Sequence, residues 1–158
     1  VAIFLIRHGS AGRRDDRDPA DEHRPLDPDG HRQAAAIAGL LVADAATAAP
    51  VTQVLSSPYR RCLETVTPLA DALGLAVVAH RDLTEGTDVE RSWAVAEGLA
   101  SAGVTAALCS HGDVIPDIVR RAQTRGMVVT GRAGCAKGSV WTLHWDGERF
   151  DRGAYTTT

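Results

Sequence analysis

The chain is short of lysine, aromatic residues, cysteine and long apolar runs, and each shortage narrows what it can be. Lys137 is the only lysine among 17 basic residues. Nearly every cation available to an anion site is therefore an arginine, whose planar fork grips a phosphate where an ammonium offers only a point charge. Against 20 acidic residues the formal net charge is −3, and no block of like charge is long enough to form an arm for a nucleic-acid polymer. Aromatic side chains make up 4%, so helices must pack through small residues, alanine above all. Cys62, Cys109 and Cys135 are odd in number and widely spaced, with no C-x-x-C pair, which argues against a disulfide framework and for a reducing compartment. No apolar run reaches the ~18 residues of a membrane-spanning helix. The amino terminus opens on a strand-like run without the basic region and cleavage site of a signal peptide. The expectation is a cytoplasmic protein without a membrane partner, and the start at Val1 rather than Met fits an excised domain.

With 158 residues, 44% of them hydrophobic, the chain is expected to form one domain, 1–158, around one substantial core. Val1 to Ile6 is too short for a helix and rich in branched apolar residues, and it ends abruptly in Arg7-His8-Gly9-Ser10. It reads as a strand buried on both faces of a parallel sheet. Such strands present their functional groups at the carboxyl end, and Gly9 has no Cβ to hinder a ligand's approach. Ala11 to Pro25 is a polar loop of mixed charge. Because it leaves from the carboxyl end of a strand, His23 or Arg24 is expected to fold back over a pocket.

Asp27-Pro28 opens a helix as cap and first residue, with an apolar face up to about Ala46 and an end within Thr47 to Pro50. Val51–Ser56 reads as a strand. Ser57-Pro58 repeats the cap-and-proline start for a helix over Tyr59–Leu73, closed by Gly74. Leu75–Ala79 is a third strand, and Thr87-x-x-Glu90 reads as a capping box for a helix through Ala102. Val104–Ser110 is a fourth strand, and a helix follows Gly112 to about Arg125, with Pro116 in its first turns. Ser139–Trp145 and Arg149–Tyr155 form a hairpin around Asp146-Gly147, with Trp141, Leu143 and Trp145 on one face. The alternation of strand and helix predicts an α/β fold, a mostly parallel sheet covered on both sides.

Two strands end in His-Gly, at His8-Gly9 and His111-Gly112. If they are neighbours, both imidazoles and Arg7 converge at one sheet edge. Helices opening beside Ser57 and after Gly112 would add their positive dipole ends, and the first of them brings Arg61. Two arginines, two histidines and helix amino termini describe a pocket for a dianionic phosphoryl group. His31 and His80 read as surface residues and His144 as structural.

Taken in order, Arg7-His8-Gly9, Ser56-Ser57-Pro58-Tyr59-Arg60-Arg61-Cys62-Leu63-Glu64-Thr65, Leu83-Thr84-Glu85 and Ser110-His111-Gly112 resemble the histidine phosphatase superfamily, with its phosphoglycerate-mutase-like fold. The resemblance implies a three-layer α/β/α sandwich in which His8 is transiently phosphorylated. Arg7, Arg61 and His111, with Gly9 and Gly112, would hold the phosphoryl group, and Glu85 matches the proton donor. Ser10, Arg24 and Tyr59 are candidates for lining the substrate. The short chain and Arg24-Pro25-Leu26-Asp27-x-x-Gly30 look like the small SixA-like branch. The stretch from His111 to Asp117, with Lys137 to Trp141, is similar to the carboxy-terminal phosphatase domain of actinobacterial Nudix hydrolases, which implies a functional link to a Nudix hydrolase. Cys62 and Glu64 depart from the commoner Ala and Gln and are expected to alter packing more than chemistry. The thin acidic stretch after Glu85 argues against mutase activity.

The function so implied is a phosphatase that needs no metal or other cofactor. Its substrate would be a small phosphorylated metabolite, a nucleotide or a phosphohistidine protein. Two other readings compete: a metal-dependent phosphohydrolase with His8, His111, Asp113 and His23 as ligands, and a non-catalytic phosphate-binding module. Asp113 is the second candidate for proton donor.

Overall fold

A computed structural model describes residues 1–45 and 50–158. Its strands are β1 (Ala2–Arg7), β2 (Gln53–Ser56), β3 (Val77–Ala79), β4 (Ala106–Ser110), β5 (Val128–Thr130), β6 (Val140–Trp145) and β7 (Phe150–Thr156). The helices are α1 (Pro28–Ala45), α2 (Arg60–Leu73), α3 (Val89–Ser101) and α4 (Val114–Thr124), with a 3-10 turn at Arg81–Leu83. The expected end of the first helix within Thr47 to Pro50 lies largely outside the described residues.

The strands form one sheet in the order β3-β2-β4-β1-β6-β7-β5. β1 and β4 pair in parallel, as do β2 with β3, β2 with β4, and β5 with β7, whereas β6 runs antiparallel to both β1 and β7. Side chains alternate across the sheet, so β1 divides its apolar residues between two cores. Ile3 and Leu5 join Leu108, Trp141 and Leu143 under α3 and α4, while Phe4 and Ile6 join Val54, Ala107, Cys109 and Val140 under α1 and α2. This is the mixed α/β sheet between two helical layers that the pattern predicted. Trp141, Leu143 and Trp145 do share one face.

Three local readings change. Ser57 does not cap α2: Tyr59 holds the cap position without a side-chain bond, and the helix begins at Arg60. Asp88, not Thr87, caps α3, its carboxylate accepting from the Glu90 N–H at 2.8 Å. β5 has no counterpart in the sequence reading, because three residues with Val128 largely exposed give no periodicity to recognise. Gly74 ends α2 as expected, at φ 68°, the left-handed conformation that glycine adopts without a steric penalty.

Candidate active site

The register of the central strands builds the site. Arg7 pairs with Ser110 across β1 and β4, and Ser56 pairs with Cys109 across β2 and β4. His8, His111 and Ser57 therefore emerge side by side just past the carboxyl ends of three adjacent parallel strands. The two imidazole centroids lie 5.5 Å apart, edge to face, and both rings are buried.

His8 is held by its own backbone. Nδ1 lies 2.8 Å from the Gly9 carbonyl oxygen, which can only accept, so Nδ1 carries the proton and Nε2 keeps a free lone pair. Burial lowers the ring's pKa to about 3, with the Arg61 charge acting in the same direction. At neutral pH the imidazole is uncharged. Arg61 Nε donates to His8 Nε2 over 3.3 Å, a long bond that a phosphoryl oxygen could replace.

Arg61 is 1% exposed and lies in the first turn of α2. Its Nη1 donates to the Asp21 carbonyl at 2.6 Å and pairs with Asp21 Oδ2 at 3.2 Å, while Nη2 is 3.7 Å from Glu85 Oε2. Its guanidinium also covers the Tyr59 ring at 5.0 Å. Arg7 Nη1 donates to the Cys135 carbonyl at 2.5 Å. His111 Nε2 is hydrogen-bonded to Ser57 Oγ at 2.8 Å and lies 3.6 Å from Cys62 Sγ. Cys62 thus touches a site residue.

Among the described residues, two buried side-chain nitrogens have no hydrogen-bond partner, Arg7 Nε and His111 Nδ1. Leaving such groups unpaired costs ~1–3 kcal/mol each. Both belong to this one cluster, and a phosphoryl group would supply the acceptors.

Several expected roles shift. Gly9 donates its N–H to Thr65 Oγ1 at 2.9 Å, and a Cβ there would meet the Gly30 carbonyl at 2.9 Å. Its small size therefore admits α1. A Cβ on Gly112 would strike the Arg7 guanidinium at 2.8 Å, so Gly112 makes room for arginine. Ser10 Oγ donates to Asp27 Oδ2 at 2.6 Å and serves the cap of α1. Arg24 does fold back, but its guanidinium engages Asp21 and the carbonyls of Ala11 and Gly12 instead of a pocket. His23 is exposed. Both Asp113 carboxylate oxygens accept backbone N–H bonds, from Val114 at 2.9 Å and Gly86 at 2.8 Å.

Glu85, one-third exposed, pairs with Arg14 at 3.0 Å. Its loop is fastened by Ser110 Oγ donating to the Leu83 carbonyl at 2.6 Å and by the Gly86 N–H on Asp113. Tyr59 and Glu85 border a cavity of about 810 Å³ whose wall includes His80, Arg81, Thr87 and Arg91. His80 also caps the 3-10 turn, its Nδ1 accepting from the Asp82 N–H.

The sequence reading overlooked Asp21 and Thr65. Asp21 sits in a charge-balanced run that reads as solvated. Thr65 stands four residues after Arg61, a helical spacing that could have flagged it, and its hydroxyl donates to the Arg61 carbonyl at 2.6 Å.

Comparison with known proteins agrees with this geometry. The chain is 33% identical over 150 residues to an 8-oxo-(d)GTP phosphatase of Mycolicibacterium smegmatis, covering 92% of this chain and 45% of that protein. It thus spans about half the length of that relative. The structure of the protein histidine phosphatase SixA complexed with tungstate superposes with a TM-score of 0.75 at 22% identity, covering 99% of this chain and 94% of the other. A mycobacterial glucosyl-3-phosphoglycerate phosphatase superposes with a TM-score of 0.68 at 17% identity, covering 99% and 98%. At these identities the two structures speak to the fold alone. The sequence pattern of the histidine phosphatase superfamily (branch 1) matches residues 3–90. That match takes in more than half of the chain and carries His8, Arg61 and Glu85, so the chain belongs to the histidine phosphatase superfamily, branch 1.

Proposed function

We propose that residues 1–158 form a phosphatase domain hydrolysing a small phosphorylated molecule through a covalent phosphohistidine on His8. The observation that carries this reading is the cluster itself: a neutral buried imidazole whose Nε2 is unprotonated, beside two buried cationic or polar groups whose hydrogen-bonding capacity is unspent.

In the first step His8 Nε2 attacks phosphorus and the bond to the leaving oxygen breaks, while Glu85 gives that oxygen a proton. The Gly9 carbonyl accepts from Nδ1–H and so favours the charge that develops on the ring. Arg7, Arg61 and His111 stabilise the equatorial oxygens, the electrostatic positioning on which phosphoryl transfer depends. In the second step water attacks the phosphorus, Glu85 takes its proton, the N–P bond breaks and inorganic phosphate leaves. His8, not His111, is the nucleophile in this reading. The Gly9 carbonyl fixes the proton of His8 on Nδ1 and leaves Nε2 as the attacking atom, whereas the place of His111 before α4 suits it to stabilise an anion.

The cavity beside Glu85 is the place for the leaving group. Its volume fits a small molecule of nucleotide or sugar size. The similar mycobacterial protein acts on an oxidised guanine nucleotide, which favours nucleotides as the first class to screen. A functional link to a Nudix hydrolase rests on the sequence resemblance alone. A metal-dependent reaction fits the residues poorly, because no group of three His, Cys, Asp or Glu side chains among the described residues is placed to hold a metal ion.

The test is a rapidly quenched reaction with p-nitrophenyl phosphate in excess EDTA. The expected results are an unchanged rate, acid-labile and base-stable phosphate on the His8 peptide, and no label in His8→Ala. Label on the His111 peptide, or loss of activity restored by one divalent ion, would overturn the reading.

A further inference from the structure

Asp21 lies in the middle of the polar loop between β1 and α1, yet its side chain is 1% exposed. Its φ of 53° is the only positive value at a non-glycine residue among those described. Asp and Asn tolerate this left-handed conformation better than other side-chain-bearing residues do. Here both the carbonyl and the carboxylate of one residue meet the same nitrogen, Arg61 Nη1, at 2.6 and 3.2 Å.

The other side of Asp21 is anchored. Arg24 takes both carboxylate oxygens, Nε at 3.0 Å and Nη2 at 2.8 Å, and reaches the carbonyls of Ala11 and Gly12 with Nη1. Those carbonyls belong to the segment that leaves β1 just after His8. Asp21 is thus tied to the chain that carries His8 and cannot follow Arg61 if Arg61 shifts. With Nη1 held, Nε faces His8 and Nη2 faces Glu85.

We infer that Asp21 is a positioning residue for the reaction: by clamping Arg61 Nη1 between its carbonyl and its carboxylate, it aims the rest of the guanidinium at the phosphoryl group on His8. The inference rests on the reading in which Arg61 holds that group. Two roles for the carboxylate differ in sign. As a charge alone, Asp21 opposes an anion in the site, and removing it would tighten anion binding. As a clamp, its removal lets Arg61 swing, and a small misplacement costs catalysis heavily.

Asp21→Asn separates the two, since Asn accepts the same backbone conformation and leaves the carbonyl contact in place. Kinetics on p-nitrophenyl phosphate and inhibition by tungstate are measured for the wild type, Asp21→Asn, Arg61→Lys and the double variant. The clamp predicts that Asp21→Asn lowers kcat by roughly tenfold or more and weakens tungstate inhibition. In the Arg61→Lys background, the same change should cost less than about twofold, because the clamped group is gone. Arg24→Gln unfastens Asp21 without touching Arg61 and should lower kcat in the same direction, by less. It also carries the test if Asp21→Asn fails to fold. Tighter tungstate inhibition with unchanged kcat, an equal loss in both backgrounds, or an unaffected Arg24→Gln enzyme would overturn the inference. A wild type that does not hydrolyse the substrate would instead defeat the proposed function.

Discussion

Glu85 is the residue whose surroundings say most about the direction of the chemistry. It stands at the border between the cluster around His8 and the cavity of about 810 Å³, with Arg14 at 3.0 Å and Arg61 at 3.7 Å. A group that protonates the departing oxygen matters most when that oxygen is a poor leaving group. Glu85→Gln should therefore slow hydrolysis of an alkyl phosphate by ~100-fold or more, and that of an aryl phosphate by under ~10-fold. Steady-state rates on a series graded by leaving-group pKa check this, and equal losses along the series would remove Glu85 from the acid role. Asp113 is the poorer alternative, because both its oxygens are committed to backbone N–H groups.

The junction of β1 with α1 shows how closely the elements must approach for the site to form. The Asp27 carboxylate caps α1, accepting from the Gly30 N–H at 2.8 Å, and the Ser10 hydroxyl that donates to it holds its pKa below the usual range. A Cβ at Gly30 would stand 2.0 Å from the Ser10 carbonyl oxygen, whereas one at Gly39, farther along the same helix, would meet nothing within 4 Å. Glycine in a helix normally costs ~1 kcal/mol relative to alanine. Gly39→Ala should therefore stabilise the protein by ~0.5–1 kcal/mol, while Gly30→Ala should destabilise it by ~1–3 kcal/mol and depress activity. Denaturant melts of the two variants test the contrast. If both variants gain stability, the close packing of α1 on the His8 segment is wrong.

The fold buries a neutral imidazole at the carboxyl end of the sheet, and that burden shows in the pH dependence of stability. The folded pKa of His8, about 3, lies below its ordinary value of 6.5. Between those values the unfolded chain binds more protons than the folded one. Stability must then fall as pH drops through 6.5, with a slope approaching ~1.4 kcal/mol per pH unit. The lowered carboxylates, Asp21 and Asp27 among them, add their loss only as pH falls below their ordinary value of 3.8. Cys62, whose pKa burial pushes up but contacts with Cys109 and His111 bring down to about 6, titrates in the same range, so the histidine's share is the difference in urea midpoints between wild type and a His8 variant from pH 6.5 to 5. His8→Gln should flatten that slope, and a slope unchanged in the variant would show that His8 is not the buried neutral group.

The strand–helix order, the alternation in β6 and the two His-Gly strand ends were all readable by eye, because periodicity and short motifs are local properties of a chain. Composition made arginine the prevalent cation for any anion site, and the ordered motifs from Arg7 to His111 pointed to the family. Tertiary structure decided the rest. Only the parallel register of β1, β4 and β2 brings His8, His111 and Ser57 together. Only packing reveals that Gly9 and Gly112 make room for α1 and for Arg7. Arg24 and Asp21 looked alike within a charge-balanced run, yet burial selected Asp21 as the partner of Arg61 and turned Arg24 into its anchor. The value of a charge depends on how much water surrounds it and which groups face it, and both are set by residues far away in the chain.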